Sequence, residues 1–231
     1  MSPGSPFILS SRLWVTKTLP EWVFALLWLL VDFYGCSVAN VCRELYPSSR
    51  FLFMYRDVEK LAKSVYRSTL MVPSAHLMVQ LGRFSGHAMM MMLKYFRFEV
   101  CDQYAGSLRM DNDFMFGTLL AVLMTGAYHE MRQGGVDMRA VCYEHLVARP
   151  LDMCRCILEF CRLPTSLSEQ AVRAFDVDSQ RNSPISRSIL GHLAELQMTP
   201  QIKERLNELL AKFEMPLIGE PGVLEGTLTC S

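Results

Sequence analysis

The sequence has no surplus of charge of either sign: 23 Lys and Arg face 23 Asp and Glu over 231 residues, for a formal net charge of zero. A general nucleic-acid binder needs a basic surplus to neutralise phosphates, so no nucleic-acid partner is expected, although a small local anion pocket stays compatible with the balance. Long apolar runs are missing as well. Trp22 to Val31 is an unbroken ten-residue apolar stretch closed by Asp32, about half of the ~20 residues that cross a bilayer. A buried helix is the expectation there. If the stretch is followed through Cys42 with its one acid, a signal anchor is the alternative, so membrane association is disfavoured but left open. Histidine is scarce, at five residues, and none shows His-x3-5-His spacing. Cys154, Cys156 and Cys161 have no second Cys-x2-Cys pair beside them, so no metal is expected and they read as small buried apolar side chains. Eight cysteines in this length suit a reduced intracellular protein and are too sparse for a disulfide-stapled mini-domain.

What is present in quantity is core-forming material: 51% apolar residues against 20% charged, with a mean hydropathy of +0.17. That excludes a disordered chain and a multi-span membrane protein. The length suits one domain, expected over 1–215, followed by a tail over 216–231 with no evident packing pattern.

Leu13-Trp14-Val15-Thr16 is short, β-prone and bounded by Ser10-Ser11 and Pro20, which predicts a strand. Residues 21–46 are expected to be helical with a break near Gly35. Phe51 to Tyr55 is a continuous apolar run of the kind found in central parallel strands. Asp57 is placed to cap a helix carrying Val58, Leu61, Ala62, Val65 and Leu70, ending near Pro73. Most of 74–133 reads as helical up to Gly134-Gly135, and Val136 to Cys142 reads as a third strand. Pro150 fits the first turn of a helix running to about Arg162. Ser166 and Glu169 have capping-box spacing, residues 178–187 form a polar loop, and Thr199-Pro200 opens a last amphipathic helix with Ile202, Leu206, Leu209, Leu210 and Phe213 on one face.

Strands separated by helical stretches predict an α/β domain with a mainly parallel sheet covered by helices. Ligands in such sheets bind beyond the carboxyl ends of the strands. That rule selects Lys17-Thr18, Arg56-Asp57 and Tyr143-Glu144.

Tyr55-Arg56-Asp57 at a strand end, with Ser64 eight residues after the arginine, resembles the 3′-phosphate-binding motif of sulfotransferases. An arginine offers a planar donor fork to a phosphate dianion, and a serine two turns into the next helix can face the same anion. Tyr143-Glu144-His145-Leu146, continuing through Pro150 to Phe160-Cys161-Arg162-Leu163-Pro164, is similar to the family's Tyr-Glu-Asp-Leu…Pro…Phe-x-x-Leu-Pro block, with His145 in place of the acid. Lys17-Thr18 is similar to the family's Lys-Thr or Lys-Ser pair near the transferred group. The resemblance covers roughly residues 12–190 with three motifs in the family's order.

The resemblance implies a P-loop NTPase-like parallel sheet flanked by helices. It also implies transfer of a sulfuryl group from 3′-phosphoadenosine 5′-phosphosulfate to a hydroxyl or amine of a small molecule or carbohydrate. Arg56 and Ser64 are then expected at the 3′-phosphate, Lys17 at the transferred group, Tyr143 near the nucleotide, and Arg181 or Arg187 as a further phosphate contact. Members of the family occur in the cytosol and in the Golgi lumen, and the cysteine content leans toward the cytoplasm. A homodimer is compatible with the resemblance. Two departures qualify it. No G-x4-G-K-[ST] occurs in the 231 residues, and only eleven precede Arg12, so the first strand and the 5′-phosphosulfate loop are expected to be missing. Leu19 stands where the cytosolic branch has a general-base histidine, with Glu21 and His76 as weak candidates for that role. A non-catalytic nucleotide-binding or interaction protein, truncated or a pseudo-enzyme, is therefore the alternative. The local alternative is an Arg56-Asp57 pair that serves only as helix-start ion pair and cap, and a Tyr143-Glu144 pair that is only a strand-end tyrosine beside a surface acid.

Overall fold

The computed structural model describes residues 50–71, 73–84, 111–176, 186 and 197–230. The expected strand Leu13–Thr16, Lys17, the apolar run Trp22–Val31, Arg181 and Arg187 lie outside the described residues. Within them the fold is mixed α/β. Strand β1 (Phe51–Tyr55) leads into α1 (Val58–Met71) and α2 (Pro73–Phe84), and α3 (Met115–Gln133) returns the chain to β2 (Met138–Cys142). Beyond β2 come α4 (Tyr143–Ala148), α5 (Pro150–Phe160), α6 (Ser168–Arg173) and α7 (Pro200–Lys212). The two strands pair in parallel, Phe51 opposite Met138 through Tyr55 opposite Cys142. A parallel pair needs a crossover between its strands, and the described part of it holds α1, α2 and α3.

The second strand is shorter than the expected Val136–Cys142. Gly135, at φ +81°, turns the chain after α3. The Val136 N–H donates back to the Met131 carbonyl, and the Met138 N–H to Val136. Residues 136 and 137 thus belong to the turn, and pairing starts at Met138.

One face of the sheet is covered along both strands and the other at Val141 of β2, while Leu52 and Met54 of β1 stay exposed. Phe53, Met138 and Ala140 pack with Tyr128 and Met131 of α3 on one side, where the Phe53 and Tyr128 rings stack 4.8 Å apart. Val141 points the other way, into a cluster with Leu146 of α4 and Met153 and Cys154 of α5. The main core lies between α1, α3 and α7 and contains Ala62, Phe116, Leu119, Leu206 and Leu209. Every residue of α3 from Met115 to Leu123 is buried, as befits a helix that is apolar all round. The expected face of α7 forms as well, with Leu206, Leu209 and Leu210 buried and the Thr199 hydroxyl accepting from the Ile202 N–H.

Two helix boundaries differ from expectation. The helix after Pro150 stops at Phe160 because Arg162 adopts a left-handed φ of +56°. The Arg162 N–H then donates to Glu159 and the Leu163 N–H to Leu158, the six-to-one and five-to-two pattern that closes a helix, without glycine. The Ser166–Glu169 capping box does not form. Thr165–Leu167 is a 3-10 turn, and α6 starts behind it at Ser168, with Leu167 at the N-cap and no side-chain cap.

Residues 216–230 show more order than their sequence pattern suggests. Thr227 bridges to Ala140 in parallel, with the Ala140 N–H donating to Gly226 and the Leu228 N–H to Ala140. The segment so takes the edge of β2 that β1 leaves free. Tyr128 Oη and Arg132 Nη1 both donate to the Glu225 carbonyl, each at 2.7 Å, and Cys230 is disulfide-bonded to Cys156. The expectation that Cys156 is a small buried apolar thiol is corrected here. Among the described residues, Cys142, Cys154 and Cys161 remain free thiols.

An ion bridge ties α7 to α1. Glu59 receives Lys63 at 2.8 Å and Lys203 at 2.9 Å. The Lys63 hydrogen bond, opposed by burial and helped by Lys203, holds the Glu59 carboxyl below its ordinary value near 4.5. A carboxylate whose folded pKa is depressed adds stability that is complete above its unfolded pKa and is lost as the pH falls through the folded one. Glu59→Gln is therefore expected to be less stable than wild type by about 1 kcal/mol or less at pH 7, with the gap closing as the pH drops below 4.5. Urea unfolding of both proteins between pH 3 and pH 7 checks this; a gap that does not narrow in acid refutes it.

Candidate functional site at the strand ends

Parallel register decides what meets at the carboxyl edge of the sheet. Because Tyr55 lies opposite Cys142, the residues that leave the two strands, Arg56 and Tyr143, emerge side by side. The Arg56 guanidinium sits over the Tyr143 ring, 5.0 Å from its centroid, close enough for cation–π attraction. The structure thus brings together two of the residues singled out from the sequence, 87 positions apart.

Glu144 completes the cluster. Its Oε1 lies 3.5 Å from Arg56 Nε and 3.7 Å from Lys60 Nζ. Its Oε2 accepts from the Asp57 N–H at 3.2 Å and from the Cys142 thiol at 3.5 Å. The glutamate is no surface acid, since its side chain keeps only 24% of its exposure. Burial pushes its carboxyl pKa up, but the Asp57 N–H, its own backbone N–H, Cys142 and Lys60 outweigh that and hold it below the ordinary carboxylate value. It is ionised at neutral pH.

Asp57 has the capping role expected of it. Its Oδ1 accepts from the Lys60 N–H at 2.9 Å, and its carbonyl takes the Leu61 N–H. It is thus a cap for α1, while Arg56 beside it pairs with a different chain segment. Ser64 lies half-buried on α1, and its carbonyl accepts from the Ser68 hydroxyl. It does not line the cleft in front of Arg56. His76 is on α2, near Gln80, and also lies away from that cleft.

The cleft has a volume of about 920 Å³ and runs along β1 to the strand ends, within the range of small-molecule sites, roughly 300–1,000 Å³. Its floor is apolar, formed by β1 with Met124 and Met131 of α3. Residues 215–224 form a wall, and Arg56, Lys60, Glu144 and His145 stand where the polar groups gather. Tyr55 braces that wall, its hydroxyl accepting from the Leu224 N–H at 3.3 Å and lying 3.1 Å from the Thr227 hydroxyl. An apolar trough with a few converging charges at one end can take a flat, partly apolar ligand that carries an anionic group.

Sequence reasoning missed Lys60 and the inward role of Glu144. Lys60 lies in the first turn of α1, three residues after the Asp57 cap, and its closeness to the strand end is the available signal. Among the described residues no cluster of His, Cys, Asp or Glu is placed to hold a metal ion, and no described helix is long and apolar enough to cross a membrane. Comparison of the chain with protein-family models, with curated proteins and with solved structures found no match.

Proposed function

We propose that the chain binds a nucleotide 3′,5′-bisphosphate at the carboxyl ends of its strands and is a sulfotransferase of P-loop-like fold. Its donor is 3′-phosphoadenosine 5′-phosphosulfate, and its acceptor is a hydroxyl or amine on a small molecule or carbohydrate. The observation that carries this reading is the Arg56 guanidinium, set against the Tyr143 ring at the polar end of an apolar cleft. A half-open guanidinium at the end of a parallel strand is suited to a phosphate monoester, which it can grip with two parallel N–H bonds.

In the proposed transfer the acceptor oxygen or nitrogen attacks sulfur, and the bond from sulfur to the 5′-phosphate oxygen breaks. The nucleotide leaves as the bisphosphate, and the acceptor's proton passes to a base. Lys17 neutralises the charge growing on the leaving oxygen, the ordinary role of a cation in group transfer. Arg181 adds a contact to the 3′-phosphate alongside Arg56.

Adenosine 3′,5′-bisphosphate at a hundredfold excess over its Kd is expected to raise the Tm by about 5–10 °C. Arg56→Ala is expected to cut the shift by about half or more. Differential scanning calorimetry of the two proteins tests this, and an unmoved wild-type Tm refutes the reading. The second reading, a nucleotide-binding protein without turnover, rests on the absence of a G-x4-G-K-[ST] loop from the 231 residues. Transfer of labelled sulfate to a panel of sugars, phenols and alcohols separates the two: a blank panel with a clear bisphosphate shift selects the second.

A further inference from the structure

The mouth of the cleft contains a carboxylate in the middle of its cations. Around Glu144 stand Arg56, Lys60 and Asp57, and the four formal charges cancel. A neutral cluster cannot hold a phosphate dianion by charge alone, so any selectivity it has must come from the direction in which its donors point.

The geometry supplies a direction. A guanidinium is a planar fork with an Nε edge and an Nη1–Nη2 edge. Arg56 Nε faces Glu144 Oε1 at 3.5 Å, and both atoms are buried with no hydrogen bond. Its Cζ lies over the Tyr143 ring, 5.0 Å from the centroid. An ion pair at the Nε edge and an aromatic ring against the Cζ restrain the fork. Among the described residues, no hydrogen bond or ion pair engages Nη1 or Nη2 of Arg56. Glu144 is itself fixed, because its second oxygen accepts from the Asp57 N–H at the head of α1.

We propose that Glu144 is a positioning residue that aims Arg56, so that the guanidinium presents its Nη1–Nη2 edge to a phosphate monoester. Through this aim the site distinguishes a nucleotide 3′,5′-bisphosphate from the 5′-monophosphate. The inference rests on the nucleotide reading above and adds to it the residue that sets its selectivity.

The test is the ratio of two dissociation constants, measured by isothermal titration calorimetry on the full chain with adenosine 3′,5′-bisphosphate and adenosine 5′-monophosphate. The wild-type protein is expected to favour the bisphosphate by about tenfold or more, the usual worth of a charge-assisted pair. Glu144→Gln keeps the volume and an acceptor for the Asp57 N–H but loses the charge that holds Nε. It is expected to bring the ratio to within about twofold of unity, with 5′-monophosphate affinity little changed. Arg56→Lys keeps the charge, lacks the fork and sits at a half-open strand end; it should collapse the ratio in the same way and serves if Glu144→Gln does not fold. A glutamate that merely stabilised the fold would lower the Tm on substitution and leave the ratio alone. If Arg56→Ala collapses the ratio while Glu144→Gln or Arg56→Lys retains it, the positioning role is overturned and the nucleotide site stands. Wild-type protein that binds neither nucleotide overturns the nucleotide reading itself.

Discussion

Cys230→Ser is expected to lower the unfolding free energy by about 4 kcal/mol at neutral pH, the loop-entropy worth of a disulfide that closes a loop of this size. Cys156 and Cys230 are 74 residues apart in sequence, and their Cα atoms lie 6.1 Å apart, inside the range that a disulfide spans. The bridge joins α5 to a segment that also borders the cleft and the edge of β2. Without it, residues 216–230 are held by the Ala140 bridge, the Glu225 carbonyl accepting from Tyr128 and Arg132, and the Tyr55 contacts. Cys156→Ser should cost the same as Cys230→Ser, and the double variant should cost no more than either, because the two substitutions remove one bond. Dithiothreitol should bring the wild type down to the variants and leave the variants unmoved. Urea unfolding of the four proteins, with and without reductant, measures all of this. A single substitution costing under about 0.5 kcal/mol would show that the bridge does not constrain the unfolded chain.

The pairing of Cys156 with Cys230 illustrates what could not be read from sequence. Connectivity among several cysteines is not contained in their spacing, and Cys156 sits on an amphipathic helix, where a small buried side chain is the ordinary expectation. The docking of 216–230 was hidden for a related reason. It is an edge interaction made by backbone groups of Gly226 and Leu228, and it needs no periodic side-chain pattern. Local signals fared better. The apolar run Phe51–Tyr55, the Asp57 cap, Pro150 at a first turn and the Thr199 cap all rest on contacts within a few residues, and each forms where expected. The Ser166 box failed because a 3-10 turn occupies its first two positions. At the site, Arg56 and Tyr143 were legible as strand ends. That Glu144 turns inward to meet Arg56 follows from the register of β1 on β2, which strand patterns in isolation do not specify.

Gly117→Ala is expected to destabilise the protein by about 2 kcal/mol, although alanine is the better helix former by about 1 kcal/mol. A Cβ at position 117 would lie 2.7 Å from Ala62 Cα, 3.1 Å from Val65 Cβ and 3.2 Å from the Ala62 carbonyl oxygen. The closest of these is backbone, so no side-chain rotation relieves the clash and α1 must move off α3. Gly126→Ala, on the same helix, is the internal control. Nothing lies within 4 Å of a Cβ there, and the substitution should stabilise by about 0.5–1 kcal/mol through helix propensity and a less flexible unfolded chain. Opposite signs at two glycines of one helix cannot come from propensity alone. The larger effect also reaches the site: α1 begins at Val58, two residues after Arg56, and carries Lys60. A helix displaced at Ala62 shifts the Asp57 N–H and Lys60 relative to Glu144, whose carboxylate meets both. Gly117→Ala should therefore weaken bisphosphate binding while Gly126→Ala leaves it unchanged. Urea unfolding and the calorimetric titration measure the two effects on the same samples, and equal stabilities for the two variants would refute the close approach of α1 to α3.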